Sequence, residues 1–196
     1  RAVAGFMAAQ GHGTFHVAGC SLGGGVALEL ARQGIARTAT ALSPAGFAEG
    51  ADAAFLQVSL ASYPPSVRPL LGLAPRLAGS GAARRALVAQ MATHGERWTA
   101  DYLVALLRSV ATAPGYEPTR RAALRERFRA GHQLTCPVTV AWAERDRLLL
   151  TARHAPRARR DLPQARHVLL PGCGHLPFFD DPGAVADAVL STTARP

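Results

Sequence analysis

Lysine is absent from this 196-residue chain: all 22 basic residues are arginine, set against 13 acidic ones, for a formal charge of +9. The loss of one cation beside abundant alanine points to a GC-rich coding bias. The arginines, including Arg120, Arg121, Arg125, Arg127 and Arg129 and then Arg157, Arg159 and Arg160, fall at helical spacings suited to solvated faces. No nucleic-acid module accompanies them, so no nucleic-acid partner is expected. Cysteine is nearly as scarce. Cys20, Cys136 and Cys173 are too few and odd in number for a disulfide framework, which suggests a reducing compartment and makes cytoplasmic placement the default. No apolar run reaches transmembrane length, so no membrane partner is expected. No two histidines stand at i, i+4 with an intervening glutamate, the spacing that would suggest zinc, and no metal or other cofactor is implied.

What is present supports a packed globular core, with 48% of residues hydrophobic and 18% charged. One pentapeptide stands out, Gly19-Cys20-Ser21-Leu22-Gly23. Residues 14–18 before it read as a short buried strand, and residues 24–32 after it as a helix with apolar residues spaced for burial. Ser21 therefore lies at a strand-to-helix turn that pushes its hydroxyl into a cleft. Such a turn calls for small neighbours, and Cβ atoms at both Gly19 and Gly23 are expected to collide with the flanking elements. The helix N-terminus then aims its amides at the same point, with the Leu22 N–H placed for an oxyanion. The bland alternative is a tight Gly-rich connection with no chemistry.

A nucleophilic serine needs a histidine base and a carboxylate to orient it, and in strand-turn-helix hydrolases these follow in the order acid, then histidine. Residues 138–143 form a clear strand, and Asp146 lies in the loop beyond its C-terminal end. Residues 166–170 form another, followed by Pro171-Gly172-Cys173-Gly174-His175. Asp146 could instead pair on the surface with Arg145 or Arg147, and Glu144 is a rival acid that ranks below it. His12, His16, His94, His132, His154 and His167 compete with His175, but they fall in strands, helices or linking segments, and none has its Gly-flanked loop.

Three blocks, residues 17–24, 136–146 and 172–177 with Asp180-Asp181-Pro182, resemble the α/β-hydrolase fold superfamily of esterases, lipases and peroxidase-like enzymes. The resemblance implies an α/β fold, a mostly parallel sheet flanked by helices, with Ser21 as nucleophile, Asp146 as acid, His175 as general base and the Leu22 N–H in the oxyanion hole. It implies a serine-dependent hydrolase acting on a small-molecule ester or related acyl bond. Acyl transfer, C–C hydrolysis or lyase chemistry on the same triad, and a catalytically impaired or ligand-binding relative, are the alternatives.

In the family several strands precede the nucleophile strand, and a loop after one of them gives the second oxyanion donor. Here residues 1–10 read as the helix before that strand. His12-Gly13 follows it as a turn and is not the donor loop. The N-terminal strands are expected to be missing, about 80 or more residues at about 30 per strand-helix-strand step. Residues 47–133 are expected to form a helical cap between core portions 1–46 and 134–196. Its helices are expected near 52–61, 67–77, 81–93, 100–112 and 119–130, with breaks at Pro64-Pro65, 79–81 and Pro114-Gly115. Phe55, Leu56, Leu103, Val104, Leu106 and Leu107 are candidates either to line a pocket beneath the cap or to pack it against the core.

Overall fold

A computed structural model of the chain describes residues 2–125, 127–129 and 134–194; His132 and the 130–133 end of the expected cap lie outside them. The elements run α1 (Ala2–Ala9), β1 (Phe15–Cys20), α2 (Leu22–Arg32), β2 (Ala36–Leu42), α3 (Ala51–Val67), α4 (Ala74–Gly79) and α5 (Gly81–Leu87). They continue with α6 (Ala100–Thr112), α7 (Tyr116–Arg125), β3 (Val138–Ala143), α8 (Thr151–Asp161), β4 (Arg166–Leu170) and α9 (Pro182–Thr193). The four strands form one parallel sheet in the order β1-β2-β3-β4.

Parallel neighbours require crossovers, because each strand ends at the opposite edge from where the next begins. The sheet is covered on both faces, and the side-chain alternation of the strands says by what. Ala39 and Ala41 of β2 and Val138, Val140 and Trp142 of β3 share a cluster with Ala27, Leu28 and Ala31 of α2 and Ala155 and Ala158 of α8. Leu42, Ala141, Ala143 and Leu170 pack instead with Val185 and Ala188 of α9. All six residues of β3 are buried, as expected for a central parallel strand. The arrangement brings the C-terminal ends of β1, β3 and β4, and hence the loops after them, to one edge of the sheet.

The helices α3 to α7 lie between β2 and β3; the end of α3 and the α4 to α6 stretch share a core built from Val67, Ala78, Val88, Trp98, Leu103 and Leu107 among others, while Leu56 and Leu60 of α3 and Leu124 of α7 pack with the core of the sheet. Two expected breaks occur, at Ser80, whose Oγ accepts from the Ala83 N–H to cap α5, and at residues 113–115. The third does not. α3 runs through Pro64 and Pro65 to Val67. A proline cannot donate to the carbonyl four residues back, which strands that acceptor. The Leu60 carbonyl, deprived of its partner by Pro64, accepts instead from Tyr116 Oη at 2.8 Å. The expected helix at 67–77 is divided into a 3₁₀ turn, Arg68–Leu70, and α4, with Pro69, Gly72 and Pro75 supplying the interruptions.

At the base of this segment, Asp52 in the first turn of α3 is buried and accepts from Arg153 Nη1 (2.6 Å) and Arg157 Nη1 (2.7 Å) of α8. The Arg153 guanidinium first, aided by Arg157, holds its carboxyl below the ordinary carboxylate range.

Candidate active site

Between β1 and α2 the chain reverses over one residue. Ser21 has φ 55° and ψ −119°, a conformation that non-glycine residues rarely adopt. Its surroundings hold it there: its N–H donates to the Leu42 carbonyl (2.9 Å), and its carbonyl accepts from Gly25 N (3.1 Å) and Ala45 N (2.9 Å). A Cβ at Gly19 would stand 2.2 Å from the Gly23 carbonyl oxygen, so residue 19 must be glycine. The expected second clash is corrected, for a Cβ at Gly23 meets open space. The close approach sets the side-chain direction of residue 19 against the backbone of residue 23, and only the first of these would carry the offending atom. The Leu22 N–H is the first of α2, where no intrahelical acceptor exists.

Asp146 and His175 meet from separate loops. His175 Nδ1 lies 2.8 Å from Asp146 Oδ2, and both side chains are buried. The other carboxylate oxygen, Oδ1, accepts from the backbone N–H groups of Leu148 (2.8 Å) and Leu149 (2.7 Å), which fixes the plane of the carboxylate. Asp146 therefore does not pair with its arginine neighbours: Arg147 Nη1 donates to the Ala89 carbonyl, and the Arg145 N–H donates to the Cys173 carbonyl. Glu144, the rival acid, is exposed and accepts from the Gly172 N–H (2.7 Å), closing the turn that precedes His175. Because a neutral imidazole that donates from Nδ1 carries its lone pair on Nε2, this contact leaves Nε2 as the basic nitrogen.

The Cys20 thiol, one residue before Ser21, donates to the His175 carbonyl at 3.3 Å and so joins the serine turn to the histidine loop. Burial, with the Asp146 charge adding to it, pushes this thiol up to about 12, so it stays protonated and serves as a donor. Among the described residues no direct hydrogen bond joins the Ser21 hydroxyl to His175. The other described histidines are engaged elsewhere or exposed. His16 Nδ1 meets Thr38 Oγ1 (2.8 Å), His167 Nε2 meets the Leu162 carbonyl (3.0 Å), His94 faces Glu96, and His12 is exposed. His154 is buried against Trp142 with Nδ1 unpartnered, and burial pushes its pKa down.

Ser21 opens onto a cavity of about 80 Å³ walled by Leu56 and Leu60 of α3, Leu124 of α7, and Leu148 and Leu149 of the Asp146 loop. No wall residue other than Ser21 offers a side-chain polar group. A larger groove of about 590 Å³ adjoins it through Leu22, Ala45, Gly46 and Ala123, but Ser21 does not border it. Of the pocket candidates, Leu56 lines the smaller cavity, Leu103 and Leu107 are buried in the core of the helical segment, and Phe55 is exposed. Sequence reasoning gave no role to Asp180, whose carboxylate reaches both the histidine loop and the helical segment; the only signal was the Asp-Asp-Pro run before α9. Among the described residues no group of three or more His, Cys, Asp or Glu is placed to hold a metal, and no helix is long and apolar enough to cross a membrane.

The profile of the Alpha/beta hydrolase family matches residues 1–188. The chain belongs to this family. Among curated relatives, this alpha/beta hydrolase is 29% identical over 185 residues to the epoxide hydrolase EphH of Mycobacterium tuberculosis, covering 91% of the chain and 85% of that protein. It is 28% identical to the uncharacterized protein Rv2715 of the same organism, covering 88% of the chain but only 54% of that relative, about half its length. Solved structures repeat the fold. BpoC from Mycobacterium tuberculosis superposes with a TM-score of 0.72 at 21% identity, over 98% of the chain and 71% of the other. The 2-hydroxy-6-oxo-6-phenylhexa-2,4-dienoate hydrolase of Rhodococcus strain RHA1 gives 0.67 at 19%, over 98% and 68%.

Proposed function

We propose that this alpha/beta hydrolase cleaves an ester or related acyl bond of a small molecule bearing an apolar acyl group, with Ser21 as nucleophile, His175 as base and Asp146 as the orienting acid. The buried 2.8 Å contact between His175 and Asp146, beside a serine held at φ 55°, carries this reading. Asp146 holds the imidazole tautomer whose Nε2 can accept a proton, and it stabilises the imidazolium that results. Ser21 Oγ bonds to the acyl carbon as His175 takes its proton, and the Leu22 N–H faces the oxyanion that forms. Collapse expels the alkoxide, which takes the proton back from His175. Water, deprotonated by His175, then attacks the acyl-serine ester; the bond to Ser21 Oγ breaks, Oγ takes the proton from His175, and the acid leaves. The mechanism requires a Ser21–His175 hydrogen bond to form as substrate binds, and catalytic hydrogen bonds of unliganded sites often tighten only then.

The aliphatic walls of the cavity support the substrate class: an anionic group entering it would lose its hydration without gaining a partner. Residues 47–133 are proposed to act as a cap on a core formed by 1–46 and 134–196, since α3 and α7 supply Leu56, Leu60, Ala123 and Leu124 to the cavity wall. Epoxide opening, the activity named for the relative EphH, fits these residues less well. A serine attacking an epoxide carbon would form an ether, which water does not cleave under these conditions, whereas attack on an acyl carbon forms a hydrolysable ester.

Intact-mass spectrometry after a fluorophosphonate probe tests the reading. One adduct is expected on the wild type and none on Ser21→Ala, and turnover of p-nitrophenyl butyrate should vanish with it. A wild type that takes no adduct and binds an acyl ligand without releasing product would favour a ligand-binding relative. An adduct that survives Ser21→Ala would remove Ser21 from its role.

A further inference from the structure

Two adjacent aspartates follow the histidine loop, and they do different things. Asp181 caps α9, accepting from the Ala184 N–H at 2.8 Å. Asp180 points elsewhere. Only 5% exposed, it receives three backbone N–H groups, one from the nearby histidine loop and two from a distant segment: Gly174 (2.7 Å) and Thr93 (3.0 Å) on Oδ2, and His94 (2.7 Å) on Oδ1. Its own carbonyl accepts from Arg97 Nη1 at 2.6 Å.

Gly174 immediately precedes His175, and on the other side the Leu176 N–H donates to the Met91 carbonyl at 2.7 Å. The two residues flanking His175 are thus both bonded to segment 91–94 of the helical insertion, one through Asp180 and one directly. The backbones touch there, since a Cβ on Gly174 would stand 2.8 Å from Ala92 Cα. The same stretch of chain also receives Arg147, from the Asp146 loop, on the Ala89 carbonyl (3.1 Å). We propose that Asp180 is a positioning residue: it clamps the helical insertion to the histidine loop and thereby sets the ring of His175 against Asp146 and Ser21. This rests on His175 being the base.

The carboxylate is suited to the task because it offers acceptors only. Asparagine in its place would turn an N–H₂ group toward either His94 N–H or the Gly174 and Thr93 pair, donor against donor. Displacement of a catalytic group by about 1 Å is enough to cost on the order of 100-fold in rate. Asp180→Asn is therefore expected to lower kcat by about 10- to 100-fold while KM for p-nitrophenyl butyrate stays within about twofold, because no wall of the Ser21 cavity is touched. Asp52→Asn, which weakens a separate tie between the insertion and the core, should lower Tm with kcat unchanged.

If Asp180→Asn lowers Tm and leaves kcat as Asp52→Asn does, the clamp is structural and the proposal fails. Hydrogen exchange on the wild-type protein needs no variant and no activity. The amides of Gly174, Thr93 and His94 should exchange slowly and together, and a Gly174 amide that exchanges independently of the other two would overturn the clamp. A wild type without a fluorophosphonate adduct would instead sink the serine reading, leaving the clamp to be judged by exchange alone.

Discussion

The sheet edge that carries Ser21, Asp146 and His175 and the helical segment between β2 and β3 are built on opposite plans. At the sheet edge, position is set by backbone: β1 to β4 are paired strand by strand, Ser21 is held by three main-chain bonds, and Asp146 by two amides of its own loop. The helical segment has an apolar cluster of its own, meets the rest through Leu56 in the core of the sheet and through Leu176 and Phe179 of the histidine loop, and has Asp52 to α8 and Asp180 to residues 93 and 94 as its chief carboxylate ties. Strand pairing constrains every residue along its length, whereas a segment with a private core is located only by what crosses its boundary. The proposed chemistry sits on the rigid plan, and the cavity wall is shared with the adjustable one.

The largest expected effect lies on the rigid side. Gly19→Ala forces a Cβ to within 2.2 Å of a backbone oxygen and should destabilise the fold by about 3 kcal/mol, read as a lower urea midpoint with loss of the fluorophosphonate adduct. Gly23→Ala sharpens the point, because its Cβ meets open space on a helix and should raise stability by about 0.5–1 kcal/mol. On the adjustable side, Asp52→Asn should cost about 2 kcal/mol by removing the charge from a pair of arginine hydrogen bonds, with ester turnover intact below the lowered Tm.

A further test lies on α8, against Trp142 of the sheet. His154 is buried with Nδ1 unpartnered, so its folded pKa lies below the ordinary 6.5. Between those values the unfolded chain takes up a proton that the folded protein refuses, and stability is lost as pH falls from about 6.5 through the folded pKa. His154→Phe should gain about 1 kcal/mol at pH 7 by removing an unsatisfied polar atom, and should flatten part of that acid limb in urea titrations at several pH values. His167, whose pKa burial also lowers, would account for some of what remains.

Legibility in the sequence followed the same division. The strand at β3 was plain because a central parallel strand is a continuous apolar run, and the turn at Ser21 was plain because it needs glycine at a fixed offset. The helices of the insertion were harder. Pro64 and Pro65 read as a break, but Tyr116, 56 residues away in the chain, takes the Leu60 carbonyl that Pro64 releases, and α3 continues. Gly23 read as sterically required, yet only the direction of the Cβ at residue 19 creates the clash.

The sequence by itself determined the α/β order, the serine turn and the order of the acid and histidine loops, since each depends on local pattern: apolar runs, glycine offsets and the place of a polar residue after a strand. Only the tertiary structure decided that Asp146 rather than Glu144 meets His175, and that Asp180 joins residues 93 and 94 to Gly174. Those choices turn on hydrogen bonds between segments far apart in the chain, and a carboxylate's partners are set by which amides the fold leaves unpaired within about 3 Å of it, a property no local pattern carries.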